Sequence, residues 1–105
     1  MIEWFDPDYI SDRIAILRTR KNISARDMSF SLGQSQSYIN NIENKKALPS
    51  MQMFLEICRF LEITPRDFFD DSISDPWALY VAEDILSSRS PKQLRLISDL
   101  MKEMK

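Results

Sequence analysis

Four of the five prolines directly follow a side chain suited to capping a helix: Asp6-Pro7, Thr64-Pro65, Asp75-Pro76 and Ser90-Pro91. Proline at the first helical position is pre-set in φ and forgoes an N–H that has no intrahelical partner there. Each pair therefore marks a helix start. Glycine occurs once, at Gly33, where a left-handed residue is wanted after a short helix. Every segment between these marks reads as helix or short connection, which makes the chain all-α.

Asp6, with Pro7 at the first position, starts a helix in which Ile10, Ile14 and Leu17 form one apolar face, and Phe5 can staple onto Ile10. Ser24 caps a second helix through Leu32, with Met28 and Leu32 inward. After Gly33, Ser35 is expected to cap a third helix, with Ile39 and Ile42 inward. Leu48-Pro49 closes this stretch. Ser50 caps a fourth helix carrying Met53, Phe54, Ile57, Cys58 and Leu61 on one stripe, and Thr64 opens a fifth that sends Phe68 and Phe69 into the core. A linker over 70–74 leads to a sixth helix from Asp75-Pro76 to about Ser87. A seventh begins with the capping box Ser90-Pro91-Lys92-Gln93 and carries Leu94, Ile97, Met101 and Met104, spaced 3, 4, 3. That last stripe has three readings: it folds back onto 76–87, it pairs across a dimer axis, or it receives another protein. The expected organisation is a domain over 7–71 and a helical extension over 75–105.

Composition narrows the function classes. Of the 105 residues 44% are hydrophobic and 29% charged, as in an ordinary globular domain. There is no apolar run of membrane-spanning length and no signal-peptide pattern, and a single cysteine cannot form an internal disulfide; these point to an intracellular, cytoplasmic protein with no membrane role. The chain has no histidine, one cysteine and one glycine, which leaves no zinc cluster and no glycine-rich phosphate loop. No catalytic residue, metal, cofactor or small-molecule ligand is expected. The net charge of −2 is unevenly spread: residues 1–12 carry −4, residues 13–46 carry +5, residues 47–86 carry −6 and residues 87–105 carry +3. One basic block in an acidic chain suggests a localised anion-binding face.

That block contains the chemistry of a DNA reader. A short helix, a glycine turn and a second short helix supply the geometry for entering a major groove. Gln36, Ser37, Asn40 and Asn41 offer donors and acceptors to base edges. Ser35, Tyr38, Asn44, Lys45 and Lys46 form a rim for phosphate contacts.

The run Arg13-Ile14, Leu17-Arg18, Ile23-Ser24-Ala25-Arg26-Asp27-Met28, Leu32 through Asn44, then Pro49-Ser50, resembles the Cro and phage-repressor (XRE) type of helix-turn-helix. The likeness extends through Ile57, Leu61, Ile63-Thr64-Pro65 and Phe68-Phe69. It implies a five-helix phage-repressor-like domain, here with a C-terminal two-helix extension, working as a homodimer on double-stranded DNA. The family's base-reading positions fall on Gln36, Ser37 and Asn41. Its phosphate positions fall on Ser35, Asn44 and Lys46, with Tyr38 and Asn40 where some members touch bases or backbone. Arg18 and Glu43 match an internal ion pair. Four positions depart from the pattern. Ala25 replaces a phosphate-binding glutamine. Ser29 replaces alanine, a benign change in size. Gln34 replaces an aliphatic residue. Lys45 replaces the glycine after the recognition helix, which shifts the expected left-handed residue to Asn44.

The function that follows is a sequence-specific DNA-binding regulator, most simply a repressor that occludes a promoter. The alternatives are an antitoxin that represses its own operon, and a protein-interaction module whose helix-turn-helix no longer reads DNA. An enzyme has no site to support it. Homodimerisation is expected through Leu94, Ile97, Met101 and Met104.

Overall fold

The computed structural model describes residue 6 and residues 8–104. The expected roles of Phe5 and Pro7 at the first helix start lie outside these residues. Among them the fold is all-helical: α1 (Tyr9–Arg20), α2 (Ala25–Ser31), α3 (Tyr38–Glu43), α4 (Met51–Leu61), α5 (Pro65–Phe68), α6 (Pro76–Ser87) and α7 (Pro91–Glu103). They form two compact units that part between Ser74 and Asp75.

Local chemistry sets most of the starts. Ser24, Ser50, Thr64, Asp75 and Ser90 each accept a hydrogen bond from the backbone N–H three residues on, at 3.0–3.2 Å. At Ser90 the box is complete, because Gln93 Oε1 accepts the Ser90 N–H at 3.0 Å. Such caps satisfy donors that the first helical turn leaves without a partner. Helix α1 begins two residues after Pro7, yet Asp6 still organises its approach: its carboxylate accepts the Asp8 N–H and its carbonyl the Tyr9 N–H.

The ends share one device. After each of α1 to α4 one residue is left-handed, namely Asn22 (φ 61°), Gly33 (φ 71°), Lys45 (φ 64°) and Glu62 (φ 56°). In each case that residue's N–H and the next one bond back to carbonyls of the final turn, as a Schellman motif requires. After α3 the left-handed residue is therefore Lys45 itself, and Asn44 stays at φ −88°. The expectation for Asn44 is corrected: the 6→1 bond from the Lys46 N–H to the Asn41 carbonyl forms only if the turn falls one residue later.

Ile14, Leu17, Met28, Ile39, Ile42, Ile57, Leu61 and Phe68 are fully buried and form the core of the first unit. Cys58 is buried among them, and burial pushes its thiol up to about 11, so it is an unreactive core side chain. Phe69 does not enter the core. It is 55% exposed and stacks on Tyr9 with ring centroids 5.8 Å apart, because consecutive residues in a single-turn helix cannot face the same way.

Arg13 is 5% exposed and lies on the inner face of α1 with Ser11, Ile14 and Leu17. Its guanidinium donates to the carbonyls of Phe68, Asp67, Asp70 and Ile73 at 2.9–3.2 Å. Tyr9 Oη donates to the Phe68 carbonyl as well. Together they terminate α5 and pin the segment that follows it. A fixed fork of N–H groups suits this task, since the carbonyls at a helix end carry partial negative charge.

In the second unit α6 buries only Pro76, and α7 buries no side chain. Leu86, Leu94, Ile97, Ser98, Met101 and Lys102 line a shallow groove of about 340 Å³.

Candidate nucleic-acid interface

The helix-turn-helix is built from α2, the turn over 32–37 and α3. Ile39 and Ile42 pin α3 to the core, so its opposite side faces solvent. Ser35, Gln36, Ser37, Asn40, Asn44, Lys45 and Lys46 are all exposed, while Tyr38 and Asn41 are half-buried. The exposed side of α3 is thus formed mainly by amides and hydroxyls, with two lysines at its C-terminal edge. Asn44 Nδ2 donates to Asn40 Oδ1 at 3.2 Å, which orients both amides along that side. Burial raises the pKa of Tyr38, so it remains a neutral hydroxyl.

The start of α3 differs from the sequence expectation. The helix begins at Tyr38, and Ser35 contributes its backbone carbonyl, which accepts the Tyr38 N–H at 3.1 Å, with no side-chain cap at Ser37. The second orphan donor of the helix, the Ile39 N–H, is satisfied from α2: Ser29 Oγ accepts it at 3.0 Å and donates to the Ala25 carbonyl at 2.8 Å. Ser29 is fully buried. What reads as a benign alanine-to-serine exchange is the hydrogen bond that joins the two helices. Its one trace in the sequence is position: Ser29 lies four residues after Ala25 and next to inward-facing Met28.

The end of α3 is held by Glu43. Arg18 Nε and Nη2 donate to the two Glu43 carboxylate oxygens at 2.7 and 2.9 Å, and Arg18 Nη1 donates to the Ile23 carbonyl at 2.7 Å. The hydrogen bond to Glu43 raises the Arg18 pKa above its ordinary value. This pair fixes α1, the entry to α2 and the end of α3 relative to one another. Gln34 meets α4 through a contact from Nε2 to Met53 Sδ at 3.7 Å, so the polar residue after Gly33 is accommodated beside a soft sulfur.

Lys45 and Lys46 differ in their surroundings. Lys45 Nζ pairs with Asp12 Oδ1 of α1 at 2.9 Å. Among the described residues Lys46 has no acidic partner. Arg26 lies over the Phe30 ring at 5.6 Å. Leu94, Ile97, Met101 and Met104 belong to the second unit; Ile97 is half-buried and the other three are exposed. Met104 falls one residue beyond the end of α7. Among the described residues no group of three or more metal-ligating side chains is gathered, and no helix is long and apolar enough to cross a membrane.

Residues 14–68 match the helix-turn-helix family of the XRE/Cro type. This chain belongs to that family. Its members carry DNA-binding domains and are typically not enzymes. A solved structure described as the SinR protein/SinI protein complex contains a chain that is 25% identical to this one, with a TM-score of 0.57, over 90% of this chain and 96% of that chain. No curated protein sequence matches it significantly. The helix-turn-helix geometry and the family together make this a DNA-binding transcription regulator.

Proposed function

We propose that the chain is a sequence-specific repressor that acts as a homodimer by occluding its operator, with residues 7–71 as the DNA-binding domain and residues 75–105 as the dimerisation element. The observation that carries this reading is the composition of the exposed side of α3. Gln36, Ser37, Asn40 and Asn41 are the base readers, since each carries both a donor and an acceptor, as base edges in the major groove do. Ser35, Tyr38, Asn44 and Lys46 are the backbone contacts that set register, and Lys45 stands on the same rim with its ammonium paired to Asp12.

The second unit supports association. Helix α7 is 13 residues long and buries no side chain, and isolated helices of that length are marginal in water. Leu94, Ile97, Met101 and Met104 gain the missing burial from a second copy, which also doubles the length of DNA that is read. The similar solved chain comes from a structure described as a protein complex, which supports protein association for this chain as well.

The experiment is selection of bound duplexes from a random library. The expected product is a pseudo-palindrome whose half-sites lie about 10 base pairs apart, one helical turn. A protein that binds no duplex at low salt, or enriches no sequence, overturns the reading.

A further inference from the structure

The first turn of α1 carries an acidic side chain to the basic rim. Asp12, on the first turn of α1, reaches across 33 positions in sequence to Lys45 at 2.9 Å. Lys45 is not a freely sweeping loop lysine. It occupies the left-handed position that ends α3, with its N–H bonded to the Ile42 carbonyl, so its stem leaves the backbone in a set direction. That direction leads to α1. Asp8, Ser11, Lys45, Lys46, Ala47 and Leu48 line an open cleft of about 210 Å³ between the two elements. Asp12, then Asp8 and Asp6, hold the Lys45 proton more firmly than usual, the hydrogen bond to Asp12 having the largest effect.

Stability does not account for this arrangement. The pair is well exposed on both sides, and exposed pairs contribute little to folding. Its effect falls on the rim, where a lysine available to DNA releases about one counterion per phosphate met. We propose that the Asp12 carboxylate is an intramolecular surrogate for DNA phosphate: it occupies Lys45, withholds one backbone contact and so lowers sequence-independent affinity, leaving Lys46 as the rim lysine open to DNA. Asp12 is thereby a specificity-determining residue. Non-specific binding consists almost wholly of such contacts, whereas operator binding also draws on the base readers. This inference rests on the DNA-binding reading above.

The test is salt-dependent binding of the full-length chain to a random-sequence duplex, comparing the wild type with Asp12→Asn, Lys45→Ala, Lys46→Ala and Asp12→Asn/Lys45→Ala. Asp12→Asn is expected to bind about five- to tenfold more tightly near 0.1 M salt, with a slope of log K against log salt steeper by about 0.9. Lys45→Ala alone should change affinity less than about twofold, whereas Lys46→Ala should lose about what Asp12→Asn gains. In the Lys45→Ala background Asp12→Asn should gain almost nothing. If that gain persists without Lys45, Asp12 acts only as a general negative charge and the surrogate idea is overturned. It is equally overturned if the wild type binds and Asp12→Asn binds no better. Failure of all five proteins to bind duplex overturns the DNA-binding reading and this inference together. All substitutions are at exposed positions, and the thermal unfolding midpoint of each variant confirms that it is folded.

Discussion

The Ser29 hydroxyl is the cap of the recognition helix, although it sits on the helix before it: Oγ accepts the Ile39 N–H at 3.0 Å. No side chain from the turn over 32–37 performs this role. Ser29→Ala removes the acceptor and leaves a buried N–H without a partner, a loss of about 1–3 kcal/mol. Urea unfolding should show the midpoint falling with an unchanged m-value. An unaltered midpoint would mean that water or a shifted turn replaces the hydroxyl.

Arg18 and Glu43 are largely buried, with side-chain exposures of 19% and 12%. Truncating either one leaves the other charge poorly solvated. Glu43→Ala or Arg18→Ala is therefore expected to cost about 2–4 kcal/mol, below the figure for full burial. A neutral pair, Arg18→Met with Glu43→Leu, should recover part of the loss. Strict additivity in this double-mutant cycle would show that the two side chains stabilise the fold independently.

The left-handed positions give a pair of opposite expectations. Glu62 has φ 56° and an exposed side chain, so Glu62→Gly removes strain and is expected to stabilise the domain by about 0.5–1 kcal/mol, even with loss of the surface pair to Lys21. At Gly33, with φ 71°, an added Cβ meets nothing within 4 Å. Gly33→Ala should therefore cost only the backbone term, about 1–2 kcal/mol. A larger loss, measured by thermal unfolding, would point to a steric clash that the structure lacks.

The helix starts were legible because they are local: a capping side chain and a proline act on their own turn, and Ser50, Thr64, Asp75 and Ser90 could be placed from neighbours alone. The single glycine hid the ends. Asn22, Lys45 and Glu62 adopt the same backbone conformation as Gly33, at a modest strain that tertiary packing outweighs, so residue type does not reveal them. Arg13 was read as a basic charge and as part of the family-like run, but not as a buried donor, because its four carbonyl partners come from 54–60 positions away. Ser29 was read by volume and not by its hydroxyl. The exposed side of α3 could be read in outline because Ile39 and Ile42, three apart, fix which side turns inward.

Base readers and backbone contacts should separate in binding assays. Gln36 and Asn41 each present an amide able to pair twice with adenine. Gln36→Ala or Asn41→Ala is expected to cost about 1–3 kcal/mol on the selected operator and to relax preference at one base pair. Lys46→Ala should weaken operator and random DNA alike and lower the salt slope by about 1. Because Asn41 is half-buried, its substitution also needs an unfolding measurement, so that lost binding is not confused with lost structure. Equal losses on both DNAs for all three variants would remove Gln36 and Asn41 from the set of readers.

The assembly prediction concerns the second unit. One recognition helix covers only a few base pairs, too little to define a unique site, and the basic block that faces DNA is not free to pair with a second copy. Leu94, Met101 and Met104 remain exposed on or just beyond α7, and Val81 and Ile85 are exposed on α6. The proposed homodimer is expected to read successive major grooves with its two recognition helices, about 34–36 Å apart on one face of the duplex. Deleting residues 90–105 is expected to leave a folded monomer, measured by light scattering, that binds a half-site weakly and the full operator without cooperativity. A truncated chain that stays dimeric and keeps full operator affinity would exclude α7 as the dimer contact. A full-length chain that remains monomeric at high concentration without DNA would exclude a preformed dimer altogether.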